Sequence, residues 1–399
     1  MGSPAVTTSI NPAQFLSKIT VDQGPEFEQT LPFTALTQVS TPTSLRTDRK
    51  IKFILLHLKV RMTNVGALTL RTAPSLLGTQ LFALIQQVTI RGVHLRYGNQ
   101  SPIVMRGETI AEMAAMILGP NYIPWFTVAQ NGGAPIRGQA LAVGAGGFND
   151  IELILPIPLF PMGMAGGDAT LHCLHGPDWP GNLYVDVLYG DGSAVATVNG
   201  AAVTFSAFGS ATGTGTCTIL TERPAPGKDL ASKISPAVLF RITNFSQPTA
   251  AVNSITGTGV KLADLTVGKD TCRLWLKAGV LATGLSAGVI TYGSLSDLIV
   301  TRTFFSLDNR QLRFQEQNDN AALQDYMGRT YFRVIPAGYT DIDFIMYPAR
   351  GAANASAVFG SSQLTAARQF QLNGDVTSSA TNIAEVVQEM LLGQPQVSA

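Results

Sequence analysis

Histidine, cysteine and the carboxylates are the side chains that hold metals or move protons, so the places where they cluster come first. Two of the four histidines and one of the three cysteines fall together in His172-Cys173-Leu174-His175, with Asp168 and Asp178 nearby. Structural zinc is held by two separated ligand pairs, and the sequence has no second Cys/His pair to complete such a site. An ordinary polar loop is the favoured reading, with one ion at His172, Cys173 and His175 the alternative.

Other patterns fail on context. Gly284-Leu285-Ser286-Ala287-Gly288 has the spacing of a nucleophile elbow, which requires a strand, a turn, a helix and a histidine further along. His57, His94, His172 and His175 all precede Ser286 and no helical pattern follows it. It reads as a small-residue turn. Gly227-Lys228 and Gly268-Lys269 lack the earlier glycine and the following Ser or Thr of a phosphate loop. The acidic pairs Asp150/Glu152 and Asp341/Asp343 have the composition of glycosidase carboxylates. Alternation puts each pair on the polar face of a strand, where solvated or subunit-facing charge is the simpler account. Asn244-Phe245-Ser246 and Asn354-Ala355-Ser356 match glycosylation acceptors, which matter only in a secreted chain. Met1 to Thr20 lacks the basic start and apolar core of a signal peptide. The expectation is a chain with no catalytic residues, no metal and no cofactor, and hence not an enzyme.

Composition agrees with that expectation. Hydrophobic residues make up 45% of the 399 and charged residues only 13%, against roughly 25% charged in ordinary soluble domains. A surface so poor in charge is suited to burial against partners. Net charge is +1 and the cations are scattered, whereas phosphate binding needs them clustered. Direct nucleic-acid binding is therefore not expected. Three dispersed cysteines make no disulfide framework and fit assembly in a reducing cytoplasm. No apolar run approaches the ~20 residues that span a bilayer.

The 39 glycines and 22 prolines point to many turns and an all-β chain. In Ile51 to Met62 the residues Ile54, Leu56, Leu58, Val60 and Met62 line one face, and His57, Lys59 and Arg61 lie opposite, as a half-buried strand requires. Further strands are read over Leu84 to Tyr97, over Ile151 to Leu159 and through Leu183, Val185, Val187 and Tyr189. Pro156 and Pro158 suggest that the strand Ile151 to Leu159 runs at an edge. Glu108 to Leu118 is a helix ended by Gly119-Pro120, with Ile110, Met113, Ala114 and Ile117 on one side. Asn382 to Leu392 is read as a C-terminal helix, with Ile383, Val386, Val387, Met390 and Leu391 as its stripe and Glu385 completing a capping box with Asn382.

The second half replays the first. His57-Leu-Lys-Val matches Trp275-Leu-Lys-Ala, and Val88-Thr-Ile-Arg matches Val300-Thr-Arg-Thr. Ala321 to Met327, capped by Asn320, stands where the first helix stood. Trp125-Phe-Thr-Val then matches Tyr331-Phe-Arg-Val, and Asp150-Ile-Glu-Leu-Ile matches Asp341-Ile-Asp-Phe-Ile. The order is collinear, and the spacing between partners shrinks along the chain. The largest drop corresponds to the glycine-rich insert near Asn131 to Gly147. The division expected is an N-terminal arm (1–24), a first barrel (25–223), a linker (224–229), a second barrel with the C-terminal helix (230–393) and a tail (394–399).

Tandem strand-rich halves, a helix placed alike in each, an N-terminal arm and no enzyme signature resemble the double jelly-roll major capsid proteins of tailless icosahedral viruses and phages. The resemblance covers roughly residues 25 to 395 and rests on architecture rather than on a motif. It implies an all-β fold of two jelly-roll barrels with a few short helices. It further implies a homotrimer of pseudo-hexameric outline that tiles a virion shell, and synthesis in the host cytoplasm. The implied partners are other copies of the chain, penton and minor capsid proteins, and internal membrane lipid. The arm from Pro4 to Thr20 and the C-terminal helix would then be the segments facing the interior. A carbohydrate-binding or carbohydrate-cleaving tandem β-sandwich and another virion part, a spike or penton, are the alternatives.

Overall fold

A computed structural model of the chain describes residues 22–31, 37–38, 42–64, 68–70, 80–118, 125–130, 136–137, 141–143, 147–161, 172–181, 183–191, 203–223, 234–245, 257–266, 269–280, 290–297, 302–308, 323–324, 330–331, 339–343, 370–376, 382–393 and 396–397. The strands of the first half include β1 (Asp22–Leu31), β2 (Thr43–Leu45), β3 (Phe53–Asn64), β4 (Ile85–His94), β5 (Gly98–Met105), β6 (Phe148–Pro158), β7 (Leu183–Tyr189) and β8 (Gly215–Arg223). The helix α1 (Gly107–Leu118) lies between β5 and β6. Those of the second half include β9 (Val238–Phe245), β10 (Gly257–Leu265), β11 (Asp270–Val280), β12 (Ile290–Asp297), β13 (Arg302–Asp308), β14 (Tyr339–Asp343), β15 (Phe370–Val376) and β16 (Asn382–Leu392).

Strand order is the informative quantity. In the first half one sheet runs β1-β8-β3-β6 and the other β2-β7-β4-β5. In the second half the orders are β9-β16-β11-β14 and β10-β15-β12-β13. Adding eight to every strand number of the first half gives the second, and every pairing within these four sets is antiparallel.

Alternation accounts for the core of the first barrel. Ile54, Leu56, Leu58, Val60 and Met62 of β3 are fully buried. They join Ile151, Leu153, Leu155 and Ile157 of β6 and Leu183, Val185, Val187 and Tyr189 of β7 in one apolar cluster. That cluster continues through Phe240, Leu274, Trp275, Val386, Val387 and Met390 of the second half, so the barrels share a core. The expected edge at Pro156 and Pro158 is local. Both prolines pair with β3, but the strand Trp125–Gln130 on the far side of β6 reaches only to Leu153.

α1 forms where the sequence expects it and packs on β6 and on the 3-10 turn Gln80–Leu84. A Cβ at its first residue, Gly107, would sit 2.5 Å from the Phe82 carbonyl oxygen, so glycine permits this close approach.

Several expectations need correction. Asn382 to Leu392 is not a helix but β16, the central strand between β9 and β11. Val386, Val387, Gln388, Glu389 and Met390 are all buried. A strand covered on both faces loses its alternation, and its apolar spacing then imitates a helix. Within the expected helix Ala321 to Met327, Leu323–Gln324 forms a short strand against Thr330–Tyr331, and the rest lies outside the described residues. The described ends of arm and tail are paired. β1 takes up Asp22, and Gln396–Val397 pairs with Ile234–Ser235. The remainder of the arm, the linker 224–229 and Ser286 lie outside the described residues.

The string matches located strands better than residues. Val88 belongs to β4, whose counterpart by strand order is β12, whereas Val300 lies outside the described residues. Trp275 faces Asp341 between β11 and β14, but Asp150 faces Arg61, four positions from His57.

Candidate functional site

Of the residues singled out for chemistry, His172, His175 and Asp178 lie at the joint between the two barrels, and Asp168 lies outside the described residues. Arg241 and Ile242 of β9 pair in parallel with Ile103 and Val104 of β5, so a sheet of each barrel is fused edge to edge into one nine-stranded sheet. Arg241 is buried at 1% exposure and uses all three guanidinium nitrogens. Nε donates to Glu389 Oε2 at 2.8 Å, and the terminal nitrogens donate to the carbonyl oxygens of Pro158 and Phe160 in the first barrel. A guanidinium held this way satisfies a planar fork of acceptors that lysine does not match.

Beside it lies a cleft lined by His94, His172, His175, Asp178 and Trp179 of the first barrel and by Pro236 to Leu239 of the second. The end of β4 places His94, the 3-10 turn Gly176–Asp178 places Asp178, and the short strand Leu174–His175 places His175. Asp178 is the hub. Its Oδ2 accepts a hydrogen bond from Ser235 Oγ of the second barrel, lies 3.2 Å from His175 Nδ1 and lies 3.9 Å from His94 Nε2. Its backbone oxygen accepts from Leu95 N at 2.8 Å. Burial pushes the Asp178 carboxyl up, but the bonds from His175 and Ser235 and the nearby imidazoles outweigh this and hold it below 3.8.

The His94 ring is fixed on three sides. Tyr97 stacks on it at 4.9 Å, Trp179 meets it edge-on at 5.0 Å, and its Nδ1 accepts the backbone N–H of Arg96 at 3.1 Å. Because Nδ1 is an acceptor, the ring proton sits on Nε2, toward Asp178. Burial lowers the His94 pKa below 6.5, and Arg96 and His175 add to this against Asp178.

His172 and His175 thus line the cleft, while Cys173 is fully buried and its thiol is pushed up to about 11, chiefly by desolvation. A protonated thiol is a poor metal ligand. Among the described residues no three His, Cys, Asp or Glu side chains are arranged to hold a metal ion.

The acidic pair of the first barrel lies elsewhere, on the outer face of β3 and β6. Asp150 takes a bidentate bond from Arg61 at 2.7 and 2.8 Å, and Glu152 accepts from His57 at 3.0 Å with Lys59 at 3.5 Å. Each carboxylate is matched by cations on the neighbouring strand, and Asp150 is buried in its pair rather than solvated. Lys269 lies over the Phe240 ring at 4.6 Å. Sequence reasoning missed Arg241, Ser235 and Asp178 as a group, because they come from segments far apart in the chain.

No protein-family model and no curated protein matches the chain. Solved structures do. A crystal structure of the STIV MCP aligns over 94% of this chain and 97% of its own, at 15% identity and a TM-score of 0.51. The chain is a double jelly roll. The atomic structure of Sulfolobus Turreted Icosahedral Virus aligns over 92% and 91%, at 16% identity and a TM-score of 0.49. The Faustovirus major capsid protein aligns over 100% and 93%, at 8% identity and a TM-score of 0.49. At these identities the likeness is one of fold, and the double jelly roll here is defined by its repeated strand order and its fused joint.

Proposed function

We propose that this double jelly roll is a capsid building block. Three copies associate into a trimer of pseudo-hexameric outline, and trimers tile the shell of an icosahedral virion. There they meet neighbouring trimers, penton proteins and minor capsid proteins. The observation that carries the reading is that two barrels of one strand order are fused through a continuous sheet. Each copy then presents two like units at a fixed angle, and a closed three-fold arrangement of such copies gives six like units around one axis. The low charge content supports extensive burial between copies, because apolar area removed from water contributes about 25 cal/mol per Å².

Within this reading the barrels span 25–223 and 230–393 about a linker at 224–229, with β1 extending the first barrel to Asp22. Lipid contact falls to the arm from Pro4 to Thr20 and not to β16, which is internal to its sheet. Among the described residues no helix is long and apolar enough to cross a membrane. Electron microscopy of the purified protein tests the proposal. Hexagonal tiles or closed shells are expected. Dispersed single molecules that bind a sugar column would favour the carbohydrate-binding alternative instead.

A further inference from the structure

We propose that the joint between the barrels is an acid-sensitive latch, in which neutral His94 holds the first barrel's turn against the second and protonated His94 releases it. The tautomer fixes the direction of the effect. An imidazolium carries protons on both ring nitrogens, so a proton on Nδ1 would face the Arg96 N–H that Nδ1 now accepts at 3.1 Å. The ring must then leave its slot between Tyr97 and Trp179.

Both neighbours are part of the joint. Tyr97 lies directly over Gly393, just past β16, where φ is +84° and a Cβ would overlap the Tyr97 hydroxyl. Trp179 lines the cleft with Pro236 to Leu239 at the entry to β9. Asp178, which the ring faces, also holds Ser235 of the second barrel. Moving His94 therefore disturbs three contacts that cross between barrels.

The charged groups around the ring set the pH at which this occurs. Asp178 faces it from the 3-10 turn, His175 from the short strand before that turn, and Arg96 and Tyr97 from the turn after β4. Lys50 lies beyond Asp178 on its own short strand. His172 lines the same cleft. Burial, Arg96 and His175 act against a charged His94, while Asp178 alone acts for it. The unfolded chain titrates near 6.5. Below that pH it binds a proton that the folded joint refuses, so the latch weakens as pH falls from about 6.5 through the folded value.

The test uses the intact protein. C2-hydrogen exchange of the histidines, read by mass spectrometry, gives the His94 midpoint directly, and a midpoint below 6.5 is expected. A midpoint at or above that value overturns the proposal without any variant being made. Amide exchange of Val238–Phe245, corrected for intrinsic rates, reads the joint itself. Opening should increase by up to about tenfold between about pH 7.5 and pH 5 for each unit that His94 titrates below its unfolded value. His94→Gln should flatten that dependence. Ser235→Ala should raise opening at both pH values with the dependence kept. A His94→Gln protein that keeps the full dependence would overturn the latch.

Discussion

Arg241 and Glu389 face each other across β9 and β16 at 2.8 Å, both about 1% exposed, and the same guanidinium ends on two carbonyls of the other barrel. One side chain thus ties strand pairing inside the second barrel to the chain path of the first. Removing one member of a buried pair leaves the other charged and unpaired. Arg241→Met should therefore cost about 3–5 kcal/mol. Chemical denaturation checks this, and Arg241→Met with Glu389→Gln should recover part of the loss.

Gly393 is the second pin of the joint. Gly393→Ala would meet the Tyr97 hydroxyl at a φ of +84°, and the loss of stability should be roughly 1–3 kcal/mol. Adding Tyr97→Phe removes the nearest atom and should return some of that loss in a thermal melt. The backbone share remains.

Gln388 of β16 donates to the Thr266 carbonyl at 2.9 Å and to Thr271 Oγ1 at 2.8 Å, and its oxygen accepts from Thr266 N at 2.8 Å. Gln388→Leu leaves the Thr266 peptide without these partners. The expected cost is about 1–3 kcal/mol, read by urea unfolding.

Acid stability should depend on Asp150. Burial pushes its carboxyl up, but the Arg61 and Gly209 hydrogen bonds and the Arg61 charge hold it below 3.8. A depressed carboxyl stabilises the fold fully above its unfolded pKa, and that contribution fades as pH falls through the folded value. Arg61→Met should raise the pH of acid unfolding and cost about 1.5–3 kcal/mol at neutral pH, followed by circular dichroism against pH.

Cys173, Cys217 and Cys272 are all fully buried, and burial pushes the Cys217 thiol up to about 12. Since the thiolate is the reactive species, a disulfide reagent should label none of the three in the native protein and all three after denaturation. Rapid labelling of native protein would contradict this burial.

What the sequence disclosed follows from how each element is buried. β3 was legible because one face is core and the other carries His57, Lys59 and Arg61, so alternation survives. α1 was legible because its apolar residues recur at helical spacing up to a Gly-Pro pair in the sequence. β16 was misread because it is covered on both sides. The joint was legible only in part: His172, His175 and Asp178 stand out as one local cluster, but nothing in the sequence ties that cluster to the second barrel. His94, Asp178, Ser235 and Arg241 are brought together by strand order, and local pattern carries no trace of that.

The proposed role of two like barrels in one chain is to build a symmetric shell. Its most direct test is the native mass of the purified protein by light scattering across a dilution series. A stable species of three chain masses, unchanged on dilution and insensitive to added sugars, is the expected result. A monomer whose melting temperature rises with a carbohydrate ligand would contradict it.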